Sequence, residues 1–364
     1  MRIMYDYQCF LRQKYGGISR YYYEIYKRIK GTNDINLPVI GSQNYYFSTD
    51  LKQHDYGSKI ALLFMRVFNA CYSRMYLAFN GRKIDILHPT YYVAYKKRNK
   101  PKLVVTVHDM IHEIFWSNSA DKGIQFSIKN KASSVRMADH IITVSENTKK
   151  DLLKYFPDLD EKKISVIYHG YNDYSNVPSI DMKNRFGKYI LFVGARGDYK
   201  NFDTFIRAAS DVLKKYSDIS VICTGGGEFT SEETSLLNCL GITDKVTQIS
   251  ATDDELINLY RDAMCFVFPS LYEGFGIPIL EGFASGCPVL LSDSSCFPEI
   301  GGDAALYFDG NSREDIASKI IQVLEDEALR KDLIAKGYVQ MKKFSWDTAA
   351  QKTLDIYGKV LKEN

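Results

Sequence analysis

The sequence predicts an α/β protein made of two doubly wound domains, and three observations carry that expectation. Its 364 residues exceed the roughly 250–300 that one hydrophobic core can serve. Twelve short apolar runs alternate with helical patterns, six in each half, as in parallel sheets joined by crossover helices. Between the halves, residues 170–185 are rich in Asn, Asp, Ser and Pro, the composition of a linker. Domains are therefore expected over 1–170 and 171–344, with a tail at 345–364.

In the first half, strands are expected at 2–5, 37–40, 85–88, 103–107, 141–144 and 165–168, each a short β-branched or aromatic run. In the second they are expected at 189–193, 220–224, 246–249, 265–269, 289–291 and 305–308. Three helical patterns follow the last strand. The final one, 345–361, carries apolar residues at helical spacing from Trp346 to Val360 and must dock on something already folded.

With 45% hydrophobic residues, 25% charged and only 9 Pro, the chain is neither collagen-like nor disordered. Seven scattered cysteines with no C-x-x-C pair read as reduced core thiols, which excludes a disulfide frame or zinc site. Asp6 interrupts the start before an apolar signal region forms, so a cytoplasmic location is expected. The net charge of +3 conceals an asymmetry. Residues 1–170 hold 27 Lys+Arg against 15 Asp+Glu, or +12, whereas the remainder holds 20 against 29, or −9. One half is thus suited to an anionic surface or substrate.

Residues 60–79 are largely apolar and near the length that spans a bilayer. Arg66, Asn69, Ser73 and Arg74 argue against spanning. Two readings stay open for this helix: buried in the first domain, or lying against lipid headgroups.

The segment 265–293 is the richest in chemistry. A strand leads into a loop with Gly274 and Gly276, Pro278 suits the first turn of a helix starting at Ile277, and Gly286 ends it. The N–H groups and positive end of such a helix suit a diphosphate. Glu273 and Glu281 bracket the helix start, and a carboxylate accepts paired hydroxyls, so one can hold a ribose and the other a sugar. A second cluster, GARGDYKN at 194–201, puts Arg196 and Lys200 after a strand, where both can neutralise phosphate. The spacing is not that of a P-loop. Gly225-Gly226-Gly227 reads as a tight strand-to-helix turn rather than a dinucleotide fingerprint. In the first half, Gly16-Gly17 precede a helix and allow close approach of backbone to a phosphate. His108 and Asp109 stand at a strand end, the edge expected for chemistry; with His112 they mimic a metal motif but lack the arrangement of zincin-type sites.

These residues together resemble the retaining glycosyltransferases of family 4. The stretch EGFGIPILE matches that family's Glu, seven residues, Glu signature, and GGISR, His108-Asp109, TVSENTKKDL and FVGARGDYKN support the match over most of the chain. The resemblance implies a GT-B fold, two Rossmann-like domains facing across a deep cleft, with the last helix crossing back to the first domain. It implies a nucleotide diphosphate sugar as donor, a glycan or lipid-linked acceptor of the surface-polysaccharide (O-antigen or capsule) kind, and no cofactor or divalent metal. Glu281 would then hold the ribose and Glu273 the donor sugar, with the Phe275–Ile277 backbone donating to sugar and phosphate. Arg196 and Lys200 would stabilise the departing diphosphate, His108 would line the reaction centre, and the Gly16-Gly17 amides would close over the phosphates.

Three other readings make distinct expectations. A nucleotide-sugar 2-epimerase shares the fold but acts on donor alone. A metal-dependent one-domain transferase would use Asp158-Leu159-Asp160 as its D-x-D, in a stretch that otherwise reads as a solvated loop. A nucleic-acid or membrane-binding module is suggested by the basic run 95–102, although no RNA-binding aromatic motif accompanies it. Of these partners the basic half favours an anionic membrane surface, with peripheral attachment, over nucleic acid.

Overall fold

The structure, a computed structural model, describes residues 1–48, 50–51, 58–93 and 101–363. The chain forms two compact units, one of Met1–His169 with Ser345–Asn364, the other of Gly170–Phe344. Among the described residues each unit is built on a six-stranded parallel sheet.

In the first unit the strands are β1 (Arg2–Met4), β2 (Asp34–Asn36), β3 (Ile86–Leu87), β4 (Lys102–Val107), β5 (His140–Thr143) and β6 (Ile164–Val166), in the order β2-β1-β3-β4-β5-β6. The expected strand at 37–40 is replaced by its polar upstream neighbour. Pro38 has no N–H to give a ladder, and Val39 N–H turns back to the Leu37 carbonyl at 2.8 Å. Asp34–Asn36 instead pairs with β1 at the sheet edge, while Leu37 and Val39 pack on the core beside it. Trp346, Ala349, Ala350, Tyr357 and Val360 of the helix Trp346–Lys362 belong to that same core, so the last helix completes the first unit. Its Ser345 hydroxyl accepts from Thr348 N–H at 3.3 Å, which caps the helix.

In the second unit β7 (Lys188–Val193), β8 (Ile219–Thr224), β9 (Val246–Ile249), β10 (Cys265–Phe268), β11 (Val289–Ser292) and β12 (Ala305–Phe308) lie in the order β12-β11-β10-β7-β8-β9. The central strands are buried on both faces, as their continuous apolar runs require. The winding reverses between β7 and β10. That reversal is a topological switch point, and the loops 194–201 and 269–276 emerge there from the carboxyl ends of these two strands.

Five of the seven thiols are buried, but Cys71 and Cys239 are exposed, which corrects the expectation that all seven are core residues. The D-x-D candidate is a surface loop: Asp158 pairs with Arg136 at 2.8 Å, and Asp160 caps the short turn Glu161–Lys163. Of the basic run 95–102, residues 95–100 lie outside the described residues. Lys102 begins β4, and its Nζ donates to the Glu363 carbonyl at 3.0 Å.

Candidate active site

The switch point of the second sheet gathers the residues singled out in its two loops. Lys200 Nζ lies 2.5 Å from Glu273 Oε1, both side chains mostly buried. The loops are tied before these side chains meet. Leu271 N–H donates to the Tyr199 carbonyl at 2.7 Å, and Asn201 Nδ2 donates to the carbonyls of Pro269 at 3.2 Å and Gly310 at 2.7 Å. Asn201 adopts the left-handed conformation (φ 58°) that lets it cap the loop and face both carbonyls.

Glu273 is braced from a third loop, the exit of β11. Ser295, also left-handed (φ 57°), accepts from Glu273 N–H at 3.2 Å and donates to the Glu273 carbonyl at 2.7 Å. Ser292 and Ser294 donate to the carbonyls of Ser270 and Leu271 at 2.6 and 3.0 Å. Residues 270–273 are therefore held by side-chain hydroxyls that the sequence reading did not single out. A run of three serines in SDSSC was the available signal, since serine after a strand offers a hydroxyl to neighbouring backbone.

From Glu273 the chain passes Gly274 and Phe275 to Gly276, whose φ of +86° is left-handed. A Cβ there would also sit 2.9 Å from Ile279, so glycine is required on both counts. The helix Ile277–Ala284 starts at that point, with Pro278 in its first turn. Glu281, buried one turn in, accepts from the Tyr260 hydroxyl at 3.3 Å. Burial and the nearby Glu281 carboxylate raise the Tyr260 phenol well above its ordinary range, so it stays a hydrogen-bond donor.

Arg196, expected to stabilise the departing diphosphate, is held by its own neighbouring loop. Its side chain is 2% exposed, and Nε donates to Glu233 at 2.9 Å. Nη1 donates to the Gly225 carbonyl at 2.7 Å, and Nη2 to those of Gly227 and Glu228 at 2.9 and 2.7 Å. The guanidinium also covers the Phe229 ring at 4.8 Å. Gly225, Gly226 and Gly227 are all left-handed (φ 89°, 73° and 77°), a turn that aims the carbonyls of Gly225, Gly227 and Glu228 at one cation. The triple glycine is thus the tight turn expected, and Arg196 is its anchor. Glu233 serves twice, since its other oxygen accepts from Thr230 N–H to complete the capping box of the helix Ser231–Leu240.

In the first unit His108 follows β4, 9% exposed, edge-on to Tyr21 and Tyr22 with ring centroids 5.2 and 5.9 Å away. Its Nε2 is buried and unbonded. Burial, outweighing the opposing pull of Asp109 and assisted by the Lys131 charge, lowers its pKa from 6.5 to about 4, so the ring is neutral at pH 7. Beneath it lies an ion pair the sequence did not disclose. Lys131, 1% exposed, contacts Glu113 at 2.7 Å and donates to the Asp109 carbonyl at 2.9 Å. His112 turns away on the helix Ile111–Phe115, its ring against Trp116.

Gly16 and Gly17 open the helix Gly17–Ile29. Gly16 is extended (φ 166°), and what it supplies is space: a Cβ would sit 2.5 Å from Gln13 Oε1. That oxygen accepts from Ser19 N–H at 3.0 Å, so Gln13 caps one first-turn amide of this helix, that of Ser19 rather than of Gly16 or Gly17. Beside it lies a cavity of about 330 Å³ lined by Cys9, Arg12, Gln13, Ile18, Arg66 and Tyr91.

Comparison with known proteins covers both units. Residues 175–340 match the family described as Glycosyl transferases group 1, and residues 15–173 that described as Glycosyltransferase Family 4. O-antigen chain mannosyltransferase B of Escherichia coli is 25% identical to this chain, over 94% of the chain and 95% of that protein. O-antigen chain mannosyltransferase RfbU of Salmonella typhimurium is 33% identical over 62% of each. The crystal structure of HepE from Anabaena in complex with UDP and glucose shares the fold, with a TM-score of 0.71 over 98% of this chain and 99% of that one at 16% identity. With both sheets parallel, the Glu273–Glu281 spacing at a helix start and both halves matched, the chain belongs to the family 4 glycosyltransferases of GT-B fold.

Proposed function

We propose that this chain transfers a hexosyl group from a nucleotide diphosphate sugar to a growing surface polysaccharide or its lipid-linked precursor, with retention at the anomeric carbon and without a divalent metal. The observation that carries the reading is the Lys200–Glu273 pair at the sheet's switch point, in the loop that leads into the helix Ile277–Ala284 bearing Glu281. Names of two relatives point to mannose as the sugar and O-antigen as the product class. HepE, bound to UDP and glucose, supports a nucleotide diphosphate as the carrier.

Donor binding divides the ion pair. The diphosphate takes Lys200 Nζ together with the backbone of Phe275–Ile277 at the positive helix end, and the freed Glu273 carboxylate accepts from sugar hydroxyls. Glu281 takes the ribose hydroxyls. As the bond from the anomeric carbon to phosphate oxygen lengthens, negative charge grows on the leaving group beside a cation already in place. The acceptor hydroxyl adds on the face the diphosphate leaves, through an oxocarbenium-like state, and its proton passes to the departing phosphate. His108, neutral, acts as a hydrogen-bond partner to a reacting hydroxyl, and Gly16-Gly17 allow phosphate to approach their backbone. Arg196 acts one step removed, by fixing the loop beside the site.

Two measurements test this. A thermal-shift panel of UDP, GDP and ADP identifies the base, because a ligand that binds only the folded chain stabilises it by RT ln(1 + [L]/Kd). Transfer from the matching sugar nucleotides, run with and without EDTA, should give product of unchanged anomeric configuration in both. Conversion of donor in the absence of any acceptor would instead establish an epimerase, and loss of activity in EDTA would remove metal independence.

A further inference from the structure

The helix Lys59–Asn80 is inside out. Its face toward the first unit carries polar groups: Asn69, fully buried, donates to the carbonyls of Ile40 and Met65 at 3.2 and 2.9 Å and accepts from Ile40 N–H at 2.7 Å. Ser73 is buried on that side too, Arg66 donates to the Leu11 carbonyl, and Tyr76 bonds to Asn36. The opposite face carries Ile60, Leu63, Phe64, Val67, Phe68 and Phe79 at helical spacing, each more than half exposed, from 53% at Phe68 to 81% at Phe79. A surface helix ordinarily turns its apolar stripe inward. Here the stripe runs along about 30 Å of helix and faces outward, a patch of the kind that marks an interaction surface.

We propose that this face seats the chain on an anionic lipid bilayer. Charge selects the occupant. The helix contains no Asp or Glu, the charged residue among its described exposed positions is Arg74, and Arg82 and Lys83 stand exposed in the turn Gly81–Lys83 that follows. An apolar face with a cationic margin and no acid suits the boundary between headgroups and acyl chains. A second copy of this chain would bring up another half of charge +12 (27 basic against 15 acidic residues over 1–170), which repels where an anionic surface attracts. The helix lies on the bilayer rather than crossing it: among the described residues no helix is long and apolar enough to span one.

Co-sedimentation of the full chain with phosphatidylcholine vesicles, with and without phosphatidylglycerol, tests the proposal and needs no donor or acceptor. The unaltered chain should pellet with the anionic vesicles. The combined Phe64→Ser, Phe68→Ser and Phe79→Ser variant should lose about tenfold or more of that partitioning at an unchanged melting temperature, because these side chains are already exposed. Combined Arg74→Gln, Arg82→Gln and Lys83→Gln should abolish the preference for phosphatidylglycerol and the sensitivity to salt. In a Phe64→Trp variant the new indole should shift to the blue on vesicles and be quenched by brominated lipid. Undiminished binding of the triple serine variant, or an indole that brominated lipid leaves bright, overturns the proposal. So does a dimer in analytical ultracentrifugation that the serine variant converts to monomer, which would assign the face to a second copy.

Discussion

The two units share one architecture and use it for opposite electrostatics. In the second, the sheet's exit loops are laced together by Asn201, Ser292, Ser294 and Ser295, and they hold a cation against a carboxylate. In the first, the exit of β4 is dry and aromatic, and His108, beside Asp109, is kept neutral by burial. A parallel sheet thus supplies only a platform. Whether it presents charge or neutral hydrogen-bonding groups is decided by what braces the loops.

Four experiments break or sharpen that contrast. The largest expected effect lies under the dry loop. Lys131→Met leaves Glu113 charged, buried and unpaired, at a cost of about 3–5 kcal/mol in urea unfolding. A smaller cost would mean that water reaches this pair and that the first unit is less dry than described. In the second unit, Lys200→Ala and Glu273→Gln should each lower kcat by about 10²–10³, roughly 2.7–4 kcal/mol, with little change in melting temperature. Retained turnover in both would make the pair structural.

Arg196→Lys keeps the charge but cannot span Glu233 and three carbonyls. Lost charge-assisted hydrogen bonds should destabilise the chain by about 1.5–3 kcal/mol. An unchanged melting curve with impaired donor binding would return Arg196 to the phosphate. The fourth test changes pH rather than a residue. Burial lowers His88 to about 3 and His108 to about 4 from 6.5, so the unfolded chain takes up their protons first as pH falls. Stability is fully present above about pH 6.5 and is lost toward pH 4, by about 1.4 kcal/mol per pH unit for each ring. Unfolding curves at pH 7, 5.5 and 4.5 that coincide would show the two rings to be solvated.

What was legible in the sequence was periodic or local. β-Branched and aromatic runs placed eleven of the twelve strands, and the failure at 37–40 came from ranking apolar character above the missing N–H of Pro38. The Glu273–Glu281 spacing, the left-handed Gly276 and Pro278 all lie within nine consecutive residues and were readable together. Arg196 was not, because its acceptors sit some thirty residues away on a loop whose carbonyls turn toward it only through three left-handed glycines. Lys131 and Glu113 escaped for the same reason: charged residues on two helices read as solvated until packing encloses both. Side chains bonding to distant backbone leave no periodic trace, and they are what fixes the geometry of both loops.

The helix Trp346–Lys362 gives the chain a calendar. Because its Trp346 and Tyr357 are interior to the first unit, that unit lacks part of its core until residues 346–360 have left the ribosome. The second unit is contiguous and complete by Phe344, so it can close while the first still waits. At about 5–20 residues per second, the half made first is the half finished last, tens of seconds after its opening strand was synthesised. For that interval the aromatic surface around Tyr5, Tyr21 and Tyr22 lacks its cover, and a chain stopped short of Trp346 would expose it permanently.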